Sequence, residues 1–207
     1  MSGPRGSGRS WRDRQERDPY VQQARRDGWR SRAVYKLEQI DQKERLLQPS
    51  MVCVDVGAAP GSWSQYVTRK LKGTARIIAV DLLPMDALPN VEFIQGDFQE
   101  EAVLAQMLEA IGSDGVDLVM SDIAPNISGN RAVDQPRSMY LVELALDLAR
   151  RVLKKKGSFV CKVFHGEGFD AFLVDARRSF ERVRVMKPKA SRAGSREVYL
   201  VARNYQL

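Results

Sequence analysis

At 207 residues the chain has room for one domain with a tail, or for two very small domains. Its residues are 43% hydrophobic and 29% charged, which excludes a fully disordered protein, and no apolar run approaches the ~20 residues that span a bilayer. The formal charge of +7 is concentrated at the start: residues 1–32 hold nine Arg, four acids (Asp13, Glu16, Asp18, Asp27) and no Lys, a net of +5.

A basic arm ahead of a nearly neutral domain implies a polyanionic partner, and nucleic acid is the commonest. Residues 1–30 combine Gly, Ser and Arg with almost no aliphatic side chains, which predicts a flexible arm. Trp11, Tyr20 and Trp29 lie among its arginines, as suits bases stacked beside contacted phosphates. The arm has no apolar stretch of the secretory kind and too many acids for a transit peptide, so the cytoplasm is the expected compartment. Residues 31–207 are the expected domain.

That domain opens with a helix capped by Ser31, carrying Ala33, Leu37, Ile40 and Leu47 at helical spacing and closed by Pro49. The apolar run MVCVDVG then reads as a buried parallel strand. A helix from about Ser62 to Lys72 follows, with Gly73 as its stop. ARIIAVDL and VEFIQGD are the next strands, a helix spans about Glu100 to Ile111, and VDLVMSD is the fourth strand. The helix MYLVELALDLARRVL is ended by KKKG, and SFVCKVF is the fifth strand. A helix from about Phe169 to Phe180 leads to two last strands, RVRVMK and EVYLVARN, joined by the basic hairpin loop PKASRAGSR. The alternation predicts a Rossmann-like α/β fold: a doubly wound, mostly parallel sheet with helices on both faces and a C-terminal antiparallel strand. Cys53 and Cys161 each sit in an apolar run without a Cys or His at metal spacing, so both read as buried thiols and no metal is expected.

Ligands of such sheets bind beyond the carboxyl ends of the strands. The first strand ends in DVGAAPGSW, where Gly57 and Gly61 permit a tight turn, but Ala59 and Ser62 occupy positions that a dinucleotide fingerprint fills with Gly. A ligand without a pyrophosphate tolerates that change, which weighs against a nicotinamide oxidoreductase. Asp81 ends the second strand 20 residues after Gly61, where an acid takes ribose hydroxyls, and Asp97 ends the third, placed for an adenine rim. Four further ionisable residues stand out: Lys36, Asp122, Lys162 and Glu197. Singly each has a bland reading, but Lys162 lies among Val160, Cys161, Val163 and Phe164, where an unpaired charge is costly.

DVGAAPGSW, VDLLP, QGDF, SDIAPNISG and FVCKVFHGEG, with Lys36 in SRAVYKL and Glu197 in SREVYLVA, resemble the FtsJ family of RNA 2′-O-methyltransferases from about Ser31 to Tyr205. The resemblance implies S-adenosylmethionine as cofactor, with Gly57, Gly61 and Trp63 along its methionine and ribose side, Asp81 on the ribose hydroxyls, Asp97 at the adenine edge and Asp122 near the sulfonium. It also implies a Lys36–Asp122–Lys162–Glu197 tetrad acting on a ribose 2′-hydroxyl, with Lys162 as proton acceptor; that role needs a pKa depressed by burial and by Lys36, while Asp122 and Glu197 push the other way. Length and arm are most similar to the bacterial members that act on a uridine of 23S ribosomal RNA, so ribosomal RNA in the large subunit is the expected partner and a monomer the expected state. Transfer RNA as the substrate, or a non-catalytic role in RNA binding or ribosome assembly, are the alternatives. The tetrad argues for catalysis, since a binding protein has no need of Lys162 in an apolar strand.

Overall fold

The computed structural model describes residues 16–207. Two helices come first, α1 (Pro19–Arg26) and α2 (Val34–Glu44). Then follow β1 (Val52–Val56), α3 (Ser62–Lys70), β2 (Arg76–Asp81), β3 (Val91–Gln95), α4 (Glu101–Ile111) and β4 (Val116–Ser121). The chain ends with α5 (Arg131–Val152), β5 (Leu153–Phe164), α6 (Phe169–Arg177), β6 (Phe180–Met186) and β7 (Glu197–Tyr205). The strands form one sheet in the order β3-β2-β1-β4-β5-β7-β6. Pairing is parallel from β3 through β5, and β7 is antiparallel to both β5 and β6, in agreement with the expected architecture. The winding reverses between β1 and β4, which makes their carboxyl ends the switch point.

The continuous apolar runs of the central strands follow from burial on both faces, since successive side chains point to opposite sides. Val54, Val56, Ile78, Val80 and Val119 pack against Met107 of α4, Leu146 of α5 and Phe172 of α6. Cys53, Ile77, Leu118, Met120 and Val160 pack on the other side against Leu37 and Ile40 of α2 and Trp63 and Val67 of α3. Both cysteines are buried free thiols, and burial pushes each well above the usual thiol range.

Several boundaries differ from expectation. Ser31 is not the cap of α2, which starts at Val34; its hydroxyl lies 2.5 Å from that of Ser62 and ties α2 to the start of α3. The helix stops at Glu44 because Arg45 takes a left-handed conformation (φ 50°). α5 begins at Arg131, eight residues before Met139, with Asn130 Oδ1 accepting the Ala132 N–H at 3.1 Å. Pro136 is the sixth residue of this helix, and without an N–H it leaves the Ala132 carbonyl without its ladder donor, a loss of one bond that the helix tolerates. β5 takes in the basic run before Ser158, where Lys154 pairs with Asp117 at 3.1 Å.

The reading of residues 1–30 as a flexible arm does not hold from Asp18 onward; residues 1–15, including Trp11, lie outside the described residues. Asp18 accepts the Tyr20 N–H at 3.0 Å and Pro19 presets the first turn of α1. Ala24 is buried, and Trp29 lies 6.2 Å from the Tyr66 ring with the Arg69 guanidinium 4.3 Å above its own. The Gly28 carbonyl accepts from Gln65 Nε2 and Arg69 Nη2, both at 3.0 Å. A few aromatic and apolar side chains, Tyr20 against Tyr35 of α2 and Trp29 against Tyr66 of α3 among them, anchor a stretch whose composition is otherwise that of a tail.

Candidate active site

Sheet register assembles the site. β1 pairs Val56 with Val80 of β2 and with Ser121 of β4, so Gly57, Asp81 and Asp122 leave three adjacent strands side by side. β4 pairs Ser121 with Cys161, which sets Asp122 level with Lys162, and the antiparallel pair Lys162–Tyr199 brings β7 alongside. Glu197 lies two residues before Tyr199 and so shares its face of β7. Lys36 enters from α2.

The four sequence-predicted charges meet there. Lys162 Nζ donates to the Asp122 carbonyl at 2.7 Å and lies 3.2 Å from Asp122 Oδ1. Lys36 Nζ lies 2.9 Å from Glu197 Oε1 and 3.9 Å from Asp122 Oδ2. The Tyr199 hydroxyl, 2.7 Å from Asp122 Oδ1 and 3.2 Å from Glu197 Oε1, links the two carboxylates, and Ser191 donates to Glu197 at 2.9 Å. All four charged side chains are only 9–18% exposed, so two cations and two anions compensate each other out of bulk water. Burial alone would raise the Asp122 carboxyl, but the charges of Lys162 and Lys36 and the Tyr199 hydroxyl outweigh it and hold it below the usual range. Burial, with Asp122 and Glu197 adding to it, keeps Tyr199 protonated as a donor.

This cluster stands between two clefts. One, of about 460 Å³, is lined by Gly57, Asp81, Asp97, Phe98 and Asp122, with the exposed Leu82 and Leu83 at its mouth. The other, of about 580 Å³, is lined by Arg32, Lys36, Arg192, Ser195 and Glu197. The first is bordered by carboxylates and the second by cations. Asp18 pairs with Arg32 at the edge of the second cleft and lies 3.7 Å from Arg192 Nε. Of the other basic residues in the β6–β7 loop, Lys187 donates to the Ser195 carbonyl at 2.6 Å, and Arg196 donates to the His165 carbonyl at 2.8 Å.

The turn after β1 shows what the first cleft can hold. Gly57 and Ala58 N–H groups donate to the Val80 carbonyl, Gly61 N–H to the Ala58 carbonyl, and Ala59 N–H to Asp81 Oδ2 at 2.9 Å. These amides are internally satisfied, so the turn does not offer the donor nest that a pyrophosphate requires. Asp81 is fixed by Ala59 and by the Leu83 N–H at 2.8 Å, and Asp97 by the Gln99 N–H at 3.0 Å. Trp63 is buried, donates to the Ala33 carbonyl at 2.9 Å and packs on Tyr199; it lines not the main cleft but a small recess that shares Gly57, Ala59 and Asp122 with it. Gly61, at φ 98°, faces Arg30 and Met85, between recess-lining Pro60 and Ser62. Among the described residues no His, Cys, Asp and Glu cluster has the makings of a metal site.

Beneath the turn lies Asp55, 1% exposed, receiving the Ser64 hydroxyl at 2.7 Å and the Ser64 N–H at 3.1 Å. Burial pushes its carboxyl up to about 7 from 3.8, the Ser64 bonds offsetting only part. The folded protein therefore holds this proton to a higher pH than the unfolded chain. Asp55's contribution to stability is full below about pH 4 and is lost, at about 1.4 kcal/mol per pH unit, as pH rises through 7. Asp55→Asn keeps an acceptor for Ser64 and removes the titration, so its stability relative to the parent rises between pH 5 and pH 8 in denaturant unfolding. A pH-independent difference contradicts this assignment.

Tyr199, Ser191 and Asp55 are site residues that motif reading does not single out. Tyr199 has one sequence signal, its two-residue offset from Glu197, but an aromatic in an apolar strand reads first as core.

The FtsJ-like methyltransferase family matches residues 29–205 of the chain. Ribosomal RNA large subunit methyltransferase E of Pseudomonas fluorescens (strain Pf0-1) is 56% identical over 196 residues, covering 95% of this chain and 94% of that protein. The protein of the same name from Legionella pneumophila (strain Corby) is 53% identical, covering 97% and 98%. A crystal structure described as that of a ribosomal RNA methyltransferase from Plasmodium falciparum superposes with a TM-score of 0.73 at 30% identity, covering 86% of this chain and 98% of that one.

Proposed function

The chain belongs to the FtsJ-like methyltransferase family, and from that premise we propose that it methylates the ribose 2′-hydroxyl of a uridine in 23S ribosomal RNA, using S-adenosylmethionine, with the large ribosomal subunit in the cytoplasm as its substrate. One observation carries the reading: the Lys36–Asp122–Lys162–Glu197 cluster stands between a carboxylate-lined cleft and an arginine-lined one, as a group transfer from a cation to a polyanion requires.

The donor set fits S-adenosylmethionine. Asp81 would accept from ribose hydroxyls and Asp97 from the adenine amine, and the charged Asp122 would favour a sulfonium; the recess of Gly57 and Trp63, with Gly61 in its turn, would take the amino-acid end. Bound there, the cofactor would supply an electrophilic methyl group, whose carbon–sulfur bond would break toward sulfur as the carbon–oxygen bond forms. Once its own proton has passed to solvent, Lys162 takes the proton that leaves the 2′-hydroxyl, and the ammonium so formed is held by the Asp122 carboxylate and carbonyl. Lys36 and Glu197 compensate each other and, through Tyr199, orient Asp122. Alignment of the two reactants is worth up to roughly 7–11 kcal/mol in such a transfer, so positioning carries much of the rate.

Methyl-labelled cofactor offered separately to large subunits, free ribosomal RNA and transfer RNA tests the substrate. Label entering ribosomal RNA, with subunits preferred, supports the reading; label confined to transfer RNA contradicts it. Asp81→Ala weakens cofactor binding by about 1.5–3 kcal/mol, roughly 10- to 100-fold in calorimetry, with the fold retained by circular dichroism. Unchanged affinity removes Asp81 from the site.

RNA docking is assigned to residues 1–15, which hold Arg5, Arg9, Arg12 and Arg14 against Asp13, and to the β6–β7 loop around Lys189 and Arg192. Because Tyr20 of α1 lies against Tyr35 of α2 and the Gly28 carbonyl accepts from Gln65 and Arg69 of α3, a deletion reaching residue 28 disturbs the domain itself, and the informative deletion ends at residue 15. Removing residues 1–15 leaves cofactor affinity unchanged, weakens RNA binding and flattens its salt dependence, by about 0.7 in logarithmic slope for each phosphate no longer neutralised. An unchanged slope confines RNA docking to the remainder of the chain.

A further inference from the structure

Arg30 stands in a basic stretch whose composition points to RNA phosphates, yet its guanidinium is turned inward. Nη1 donates to the Pro60 carbonyl at 3.0 Å and to the Asp86 carbonyl at 2.8 Å, and Nη2 donates to the Ala87 carbonyl at 3.0 Å. One planar fork thus joins the turn after β1 to the irregular loop between β2 and β3. Among the described residues these are the only hydrogen bonds reaching residues 84–87 from any other part of the chain. The same loop begins with Leu82 and Leu83, which line the carboxylate cleft and are 64% and 65% exposed. Gly61 makes room for the arrangement: a Cβ there would lie 2.6 Å from Arg30 Nη1 and 2.7 Å from Met85 Sδ. Arg30 itself is fixed independently of its guanidinium, since its N–H donates to Gln65 Oε1 at 3.0 Å.

We infer that Arg30 is a positioning residue of the cofactor cleft, clamping the 82–90 loop against the Pro60–Gly61 turn, and does not bind an RNA phosphate. The role of the clamp in cofactor binding rests on the methyl-donor reading of that cleft; the clamp itself does not. A planar fork with several donors bridges separate carbonyls, whereas a lysine ammonium at the same place is a single point of attachment on a flexible stem. Loss of the fork leaves the loop to be ordered when ligand binds, and that ordering weakens affinity rather than turnover.

Arg30→Ala and Arg30→Lys separate the possibilities, with amide hydrogen exchange, cofactor titration and RNA binding across a salt series measured on the full chain. The clamp predicts faster exchange confined to peptides covering residues 82–90. It predicts a cofactor Kd raised roughly tenfold in Arg30→Ala, partial recovery in Arg30→Lys, and little change in kcat at saturating cofactor. RNA affinity and its salt slope at saturating cofactor stay at parental values. Unchanged exchange in the loop, a cofactor Kd within twofold of the parent, or a flatter RNA salt slope each overturns the inference. Failure of the parent protein to bind S-adenosylmethionine refutes the methyl-donor reading instead, and the exchange comparison still decides the clamp.

Discussion

Lys162→Met lowers methyl transfer at neutral pH by roughly 10²- to 10⁴-fold, the usual contribution of a positioned proton acceptor, while cofactor and RNA affinities stay near parental values. Methionine retains an unbranched apolar stem among Val160, Cys161 and Val163, so the strand keeps its packing. Asp122 keeps Tyr199 at 2.7 Å and Lys36 at 3.9 Å, so the carboxylate is not left without partners. The measurement is single-turnover transfer beside equilibrium binding of each substrate. Near-normal transfer shows Lys162 to be a snorkelling structural lysine; loss of cofactor binding shows that it holds the ligand instead of acting on the hydroxyl.

Asp122→Asn is expected to be as damaging to transfer and, unlike Lys162→Met, to destabilise the fold. The amide oxygen still accepts from Tyr199 and the backbone carbonyl still accepts from Lys162, but Lys36 and Lys162 lose the charge between them. Breaking a largely buried pair while leaving some of its hydrogen bonds costs roughly 1–3 kcal/mol. The sign with pH is opposite to that for Asp55. The folded carboxyl of Asp122 lies below its ordinary 3.8, so its stabilisation is complete above that pH and is lost as pH falls through the lower folded value. The stability gap between parent and Asp122→Asn is therefore full from pH 6 to 8 and narrows below about pH 4. A gap independent of pH contradicts the charge account, and unimpaired transfer removes Asp122 from the mechanism.

The architecture was legible because the central strands are predominantly apolar and β1, β2 and β4 run into Gly57, Asp81 and Asp122 beside the switch point. The tetrad was legible because its members lie within distinctive flanking segments and Lys162 interrupts an apolar strand. What escaped reading depends on tertiary contacts. The stretch from α1 to Trp29 holds through Tyr20, Ala24 and Trp29, too few apolar residues to set a period, and only Tyr35 of α2 and Tyr66 of α3 make a packing surface for its aromatic rings. α5 extends through Pro136 because the Asp134 carboxylate binds Ser128 and Gly129 and closes the preceding loop onto its first turn. Tyr199 is indistinguishable from core until its hydroxyl is seen on Asp122, and Arg30 from its neighbouring arginines until its three carbonyl partners are.

The central claim, transfer to a ribose oxygen, is tested most directly by where the label goes. Large subunits from cells lacking this protein are incubated with it and methyl-labelled S-adenosylmethionine, and the 23S RNA is then hydrolysed in alkali. A methylated 2′-oxygen cannot attack the neighbouring phosphate, so the account predicts label in an alkali-stable dinucleotide that begins with a methylated uridine, with none in the Lys162→Met reaction. Label recovered in mononucleotides, as base methylation gives, or equal labelling by Lys162→Met, would contradict it.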